Sequence, residues 1–242
     1  MSKFNFLGLS FDDLTIQESI AKIEEFIAQK TSHMVFTPNA ELIVRAQTDE
    51  FLKKVYDETD ILTIDSWVVY YFAKLRGNKL KEPASAANIM FKILPRLVEK
   101  KYRVYLLGAT NEVVKIVNDK LTQMGINVVG YQDGYFDKEN PKSVVENIKN
   151  SKAEILFVAM TSPFKEKIIY ENLKNMNVGV SIGVGGTFDI IAGKCKHAPI
   201  WISKLGLEWF YRFIQEPRRL WKRYLVTNTK FLILFFKDLF RI

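Results

Sequence analysis

One cysteine, Cys195, and two histidines, His33 and His197, are all the thiol and imidazole in 242 residues. A single cysteine rules out an intramolecular disulfide. Two histidines cannot build a zinc site of the usual ligand count without carboxylates, so the sequence predicts no metal site and a reducing cytoplasmic compartment. Long apolar runs are also missing: the longest near the end is Phe231-Leu-Ile-Leu-Phe-Phe236, far short of the roughly 18 residues a membrane span needs. The opening Met1-Ser2-Lys3-Phe4-Asn5 lacks a signal-peptide apolar region, so the expectation is neither usual secretion nor membrane integration. Neither the dinucleotide fingerprint Gly-x-Gly-x-x-Gly nor a Walker A pattern occurs, which argues against NAD enzymes and ATPases. Asp-x-Asp, a common way to hold a divalent ion against a nucleotide diphosphate, is absent as well. A bound diphosphate would have to be met by basic side chains and backbone donors.

Positive charge is plentiful but unevenly spread. The formal net charge is +8, and from Lys196 onward ten basic residues face only three acidic ones, so +7 of it belongs to the last fifth of the chain. A localised basic tail points to an anionic partner. In this tail Leu205–Ile214 has helical apolar spacing, Glu216-Pro217 breaks it, and Arg218–Leu225 starts another helix. Basic residues interleaved with Trp, Tyr and Phe suit an anionic bilayer interface. A helix packed on the core with a solvated basic face fits the same pattern. Nucleic acid is not expected as a partner, because no recognised motif accompanies the charge.

Upstream, apolar strand patterns alternate with helical ones. Residues 4 to 11 read as a strand, and Thr15-Ile-Gln-Glu18 is a capping box that opens a helix through about Gln29. Met34–Phe36 is a strand stopped by Pro38, with Asn39 as N-cap of the next helix, and Ile61–Asp65 is another strand ending in a carboxylate. Further strands are expected at 103–108, 128–131, 154–160 and 178–184, with helices between them and Asn111 capping one. Glu154–Met160 is almost wholly apolar, as in a parallel strand covered on both faces. The alternation predicts an α/β fold: a Rossmann-like parallel sheet with helices on both faces in a core of residues 1–194, followed by a basic helical C-terminal appendage of residues 195–242.

In such a sheet, ligands bind at the carboxyl ends of strands. Thr37, Asn39 and Asp65 therefore form a polar cluster at one edge, unless Asn39 and Asp65 merely cap helices. The turns Gly108-Ala109-Thr110, Thr161-Ser162-Pro163 and Gly183–Thr187 are small enough for a phosphate or ribose to approach, although glycine in a βα turn also serves the turn alone.

Several strings are too specific to be composition: Gly183-Val-Gly-Gly-Thr-Phe-Asp189, Ala198-Pro199, Leu205-Gly-Leu-Glu-Trp209, Tyr211-Arg212 and Gln215-Glu-Pro-Arg218. They closely resemble the WecG/TagA/CpsF glycosyltransferases, glycosyltransferase family 26. Thr37-Pro-Asn-Ala-Glu41, Asp65, Leu106-Leu-Gly-Ala109, Gly134-Tyr-Phe136 and Ser162-Pro163 follow in family order, so nearly the whole chain is covered. The resemblance implies an inverting, metal-independent enzyme that builds bacterial cell-surface polymers such as teichoic acid, capsule or exopolysaccharide. It would move N-acetylmannosamine or a related hexose from a UDP-sugar to a polyprenyl-diphosphate-linked saccharide, with no cofactor, at the inner face of the cell membrane.

Carried onto this chain, Asp65 would be the general base, with Thr37 and Asn39 positioning it and the sugar. Substrate contacts would fall on Gly108, Ala109, Tyr135, Thr161, Lys165, Gly185, Gly186, Thr187 and Asp189. Arg212, Arg218, Arg219 and Arg223 would approach the diphosphates and an anionic membrane. Three departures stand out: Ser66 where the family usually has glycine, Pro83 where it has arginine, and Lys165 where it has glutamine. They point to a different donor sugar or, alternatively, to a catalytically degenerate paralogue that binds and scaffolds an active glycosyltransferase. A homo-oligomer is compatible with both, and a soluble NAD-type nucleotide binder is a third class.

Overall fold

The computed structural model describes residues 2 to 240, without the side chains of Arg219, Leu220, Lys222 and Arg223. The chain opens with β1 (Lys3–Phe6) and β2 (Leu9–Asp12), then α1 (Ile16–Gln29), β3 (His33–Phe36), α2 (Ala40–Ala46), α3 (Glu50–Asp57), β4 (Ile61–Leu62), α4 (Trp67–Leu75) and α5 (Ala86–Lys100). It continues through β5 (Val104–Gly108), α6 (Asn111–Gln123), β6 (Val128–Gln132), α7 (Lys142–Ser151), β7 (Ile155–Ala159), α8 (Phe164–Met176), β8 (Val180–Gly183) and α9 (Thr187–Ala192). Three helices close it: α10 (Ile200–Lys204), α11 (Glu208–Gln215) and α12 (Pro217–Phe240).

Six strands form one parallel sheet in the order β4-β3-β8-β7-β5-β6. Side chains of successive strand residues point to opposite faces, and the core divides accordingly. Met34, Phe36, Leu107, Leu156 and Val158 join a cluster with α2, α3, α4, α7, α8 and α12, while Val35, Leu106, Ile155 and Phe157 join one with α1, α5, α6 and α9. Helices thus cover both faces of a Rossmann-like sheet.

Residues 4 to 11 are not one strand. They are the antiparallel hairpin β1–β2, because Leu7 and Gly8 both adopt positive φ and turn the chain between Phe6 and Leu9. Asp12 fixes this hairpin to the sheet by accepting from the Leu62 amide at 2.9 Å. Thr15 caps α1 with the full capping box, whereas α6 is capped by Thr110 and not by Asn111, its first helical residue. The hydroxyl of Thr110 reaches the Val113 amide, which makes it the better-placed cap.

The tail is the expected helical appendage, and it packs on the core. The break at Glu216-Pro217 holds, but beyond it a single helix runs on through the Phe231–Phe236 tract. Phe231 and Phe235 of α12 are each only 2 % exposed and pack edge-on against Phe72 at 5.3 and 4.7 Å and against Phe6. Arg76, the residue that caps the end of α4, pairs with Asp238 at 2.7 Å. The opposite side of α10–α12 leaves Trp201, Ile214, Trp221 and Leu225 exposed. No helix among the described residues is long and apolar enough to cross a membrane.

At the end of β5 the backbone permits only glycine. Gly108 has φ +118°, and a Cβ there would lie 2.3 Å from the Ala159 carbonyl oxygen on β7. Gly108→Ala is expected to lose about 2–4 kcal/mol in a urea titration through strain and overpacking. A value near zero would show that the β5–β7 junction yields.

Candidate active site

A parallel sheet gathers all its strand-to-helix turns at one edge. Along that edge, in strand order, come Asp65 after β4, Thr37 and Asn39 after β3, Gly185 and Gly186 after β8, Thr161 and Lys165 after β7, Gly108 and Ala109 after β5, and Tyr135 after β6. The connections leaving β5 and β7 go to opposite sides, one to β6 and the other to β8, so the switch point of the sheet lies between them. There Gly134 packs directly over Gly108, with Met160 beside it, and donates its amide to the Ala109 carbonyl at 2.9 Å. Tyr135 next to it is 77 % exposed and Thr161 is exposed, so these groups form an open rim.

Asp65 occupies a different position. The Thr37 hydroxyl accepts from the Ala86 amide at 3.1 Å and donates to Asp65 Oδ1 at 3.1 Å. An amide can only donate, so the hydroxyl proton is directed at the carboxylate. Asp65 does not cap α4: the N-cap is Ser66, and it makes no side-chain capping bond. Asn39 does cap α2, accepting from the Leu42 amide at 3.1 Å, which commits its Oδ1 to the helix and leaves recognition to its Nδ2 donors. Burial, reinforced by the negative charge of Glu208, pushes the Asp65 carboxyl up to about 6, against the opposing pull of Thr37 donation, Arg212 and Lys165.

The carboxylate faces a cavity of about 410 Å³ between the sheet edge and the C-terminal helices. Asn39, Asp65, Trp67, Val68 and Phe72 line it from the core, and Leu207, Glu208, Trp209, Arg212, Tyr224, Phe231 and Leu232 from α11, α12 and the turn before them. Its walls are mainly apolar. Arg212 extends across to the glycine turn, where a Cβ on Gly186 would lie 2.9 Å from its Nη2. The guanidinium therefore lies near both Asp65 and the Gly185-Gly186 backbone, and its positive charge opposes the upward push that burial gives the Cys195 thiol.

Thr37, Asn39, Asp65, Gly186 and Arg212 thus come together, while Gly108, Ala109, Tyr135 and Thr161 sit further along the edge. Lys165 lies between, 8 % exposed. Its ammonium bonds to Ser162 Oγ and, at 2.5 Å, to the fully buried Glu166, which also accepts from Tyr56 at 3.1 Å and from Ser162 at 2.8 Å. The charge of Lys165 is balanced in place by Glu166. Thr187 is buried and its hydroxyl donates back to the Val184 carbonyl at 2.6 Å. Asp189 holds the following turn through its backbone carbonyl, which accepts from Lys194 and Cys195. Arg218 is exposed at the start of α12, and the side chains of Arg219 and Arg223 lie outside the described residues. Among the described residues no group of three or more His, Cys, Asp or Glu is placed to hold a metal ion.

Sequence reasoning missed Glu208 and the Tyr56–Glu166 bond. Glu208 sits one helical turn before Arg212, a spacing that puts both on one face of α11 and was the available signal.

Residues 4–242 match the model of the "Glycosyl transferase WecG/TagA/CpsF family". An N-acetylglucosaminyldiphosphoundecaprenol N-acetyl-beta-D-mannosaminyltransferase of Bacillus subtilis (strain 168) is 33 % identical over 204 residues, covering 84 % of this chain and 78 % of that protein. Proteins of the same name from Staphylococcus aureus (strain MW2) and Bacillus spizizenii are 30 % and 28 % identical, over 92 % and 90 % of this chain and 87 % and 84 % of theirs. With a helix-covered parallel sheet and a match along nearly its whole length, the chain belongs to the WecG/TagA/CpsF glycosyltransferase family.

Proposed function

We propose that this glycosyltransferase transfers an N-acetylmannosamine-type hexose from a UDP-sugar to a polyprenyl-diphosphate-linked N-acetylglucosamine, with inversion and without a metal. The observation that carries this reading is the Asp65 carboxylate, oriented by Thr37 and pushed up to about 6 at the wall of an apolar cavity. As the acceptor hydroxyl attacks the anomeric carbon, its O–H bond breaks and the proton passes to Asp65. The bond from that carbon to the diphosphate breaks, and its electron pair leaves with UDP. Arg212 and the glycine-turn amides meet the charge that grows on the departing diphosphate. The switch-point rim at Gly108, Ala109, Tyr135 and Thr161 takes the nucleoside, and the aromatic walls at Trp67, Phe72 and Phe231 take the first isoprene units of the acceptor. The names of the relatives support the acceptor and the transferred sugar.

The test is turnover of a panel of UDP-sugars on N-acetylglucosaminyl-diphosphoundecaprenol, with the anomeric configuration of the product read by NMR. UDP-N-acetylmannosamine or a near relative should react with inversion, and a retained configuration would overturn the in-line displacement. A pH series on the parent enzyme should show kcat/KM rising through about pH 6 to a plateau, because the base must be ionised.

The exposed apolar side of α10–α12, beside Lys204 and Arg218, supports docking on an anionic membrane surface. The triple variant Trp201→Ser, Ile214→Ser, Leu225→Ser should lose most sedimentation with anionic vesicles while keeping its melting temperature. Undiminished binding would remove this face as the membrane contact.

A further inference from the structure

Glu208 lines the cavity but takes no part in the bond-making and bond-breaking of the transfer. Glu208 begins α11, and three contacts fix where that helix starts. Gly206, at φ +75°, lies so close to α4 that a Cβ there would sit 3.1 Å from Val68 Cγ2 and 3.6 Å from the Val68 amide nitrogen. The Tyr71 hydroxyl donates to the Lys204 carbonyl at 2.6 Å. On the far side Arg212 lies against Gly186. The backbone contact is two residues before Glu208 and three residues after Asp65, so both residues line the same cavity from one junction.

We propose that Glu208 is a positioning residue for the transfer: its carboxylate, carried in by the docked α11, keeps the Asp65 carboxylate a strong enough base to take the acceptor proton. This rests on Asp65 being the base. Two like charges facing a poorly hydrated space disfavour each other's ionised form, which raises the proton affinity of the more buried one. Every charged or titratable group facing Asp65 enters this balance. Glu208 and Arg212 come from α11, Lys165 from α8 and Thr37 from the turn after β3, while Glu41 of α2 and Tyr224 of α12 line the same cavity. Glu208 is the counterweight to Arg212 and Lys165, which pull Asp65 toward a weaker base. The arrangement also makes the base conditional, because Asp65 reaches full basicity only with α11 seated against Val68.

The experiment compares pH profiles of kcat/KM for the parent, Glu208→Gln, Glu208→Asp and Asp65→Asn, with Asp65 followed in the parent and Glu208→Gln by carboxyl-carbon NMR titration of the folded protein without substrate. Glu208→Gln should move both the acid limb and the NMR midpoint about one pH unit lower. Its plateau rate should fall several-fold, and Glu208→Asp should restore much of the limb position. A Glu208→Gln profile scaled down equally at every pH, with the NMR midpoint unmoved, would show a merely structural role and overturn the proposal while leaving Asp65 as base. An unaltered profile would overturn it in the same way. If Asp65→Asn keeps the parent rate and limb, the base assignment falls and the Glu208 proposal with it.

Discussion

Asp65→Asn is expected to lower turnover by about 10²–10⁴-fold while making the protein more stable. The two effects share one cause. In the unfolded chain the carboxyl titrates near 3.8, and in the folded protein near 6. Between these values the folded state binds the proton that the unfolded state has lost, so stability falls as pH rises from about 4 to about 6 and stays lower above. At pH 7 the ionised carboxylate costs the fold on the order of 2–3 kcal/mol. Asparagine is neutral at every pH, and its carbonyl can accept the same Thr37 hydroxyl. Thermal melts at pH 7 should therefore rise for the variant, and the difference from the parent should vanish toward pH 4. An equal melt at pH 7 would mean that the carboxylate is solvated in place and has no raised basicity to use.

Phe231→Ala is expected to remove about 3–5 kcal/mol and to impair transfer as well. Phe231 is 2 % exposed, packs on Phe72 and Phe6, and also lines the cavity. Truncating it leaves a void in the core cluster and loosens the wall opposite Asp65. Phe236→Ala, five residues on at a side chain 49 % exposed, is the control and should shift urea midpoints by less than about 0.5 kcal/mol. If the cavity receives isoprene units, Phe231→Ala should raise KM for a long-chain acceptor more than for a short-chain one. Equal effects on both would place the prenyl chain elsewhere.

Most of the sheet was readable in the chain because its signals are local. The apolar runs at Val104–Gly108 and Ile155–Ala159, the capping box at Thr15 and the Asn39 cap each act within a few residues. The hairpin escaped because its turn depends on two consecutive positive φ angles, one of them at Leu7, a residue type that gives no turn signal. Asp65 was legible as a carboxylate at a strand end, and its lack of a capping role was not, since that turns on where the Ser66 backbone starts α4. Lys165 shows the limit most plainly. Sequence gives the cation, but its neutralisation depends on Glu166, Ser162 and the distant Tyr56 meeting under β8. Glu208 belonged to a recognised string, yet its bearing on Asp65 is an electrostatic influence between residues far apart in the chain that share one cavity.

The packing of Phe6 between Phe231 and Phe235 bears on how the enzyme is made. In synthesis the β1–β2 hairpin and α4 are made long before α12, so Phe6 and Phe72 wait without their α12 partners until that helix emerges. Contacts this distant in the chain are the slowest to form. A nascent polypeptide stalled before α12 should then be protease-sensitive at the hairpin and inactive. The cavity walls close only when synthesis reaches α12, whose Tyr224, Phe231 and Leu232 complete them.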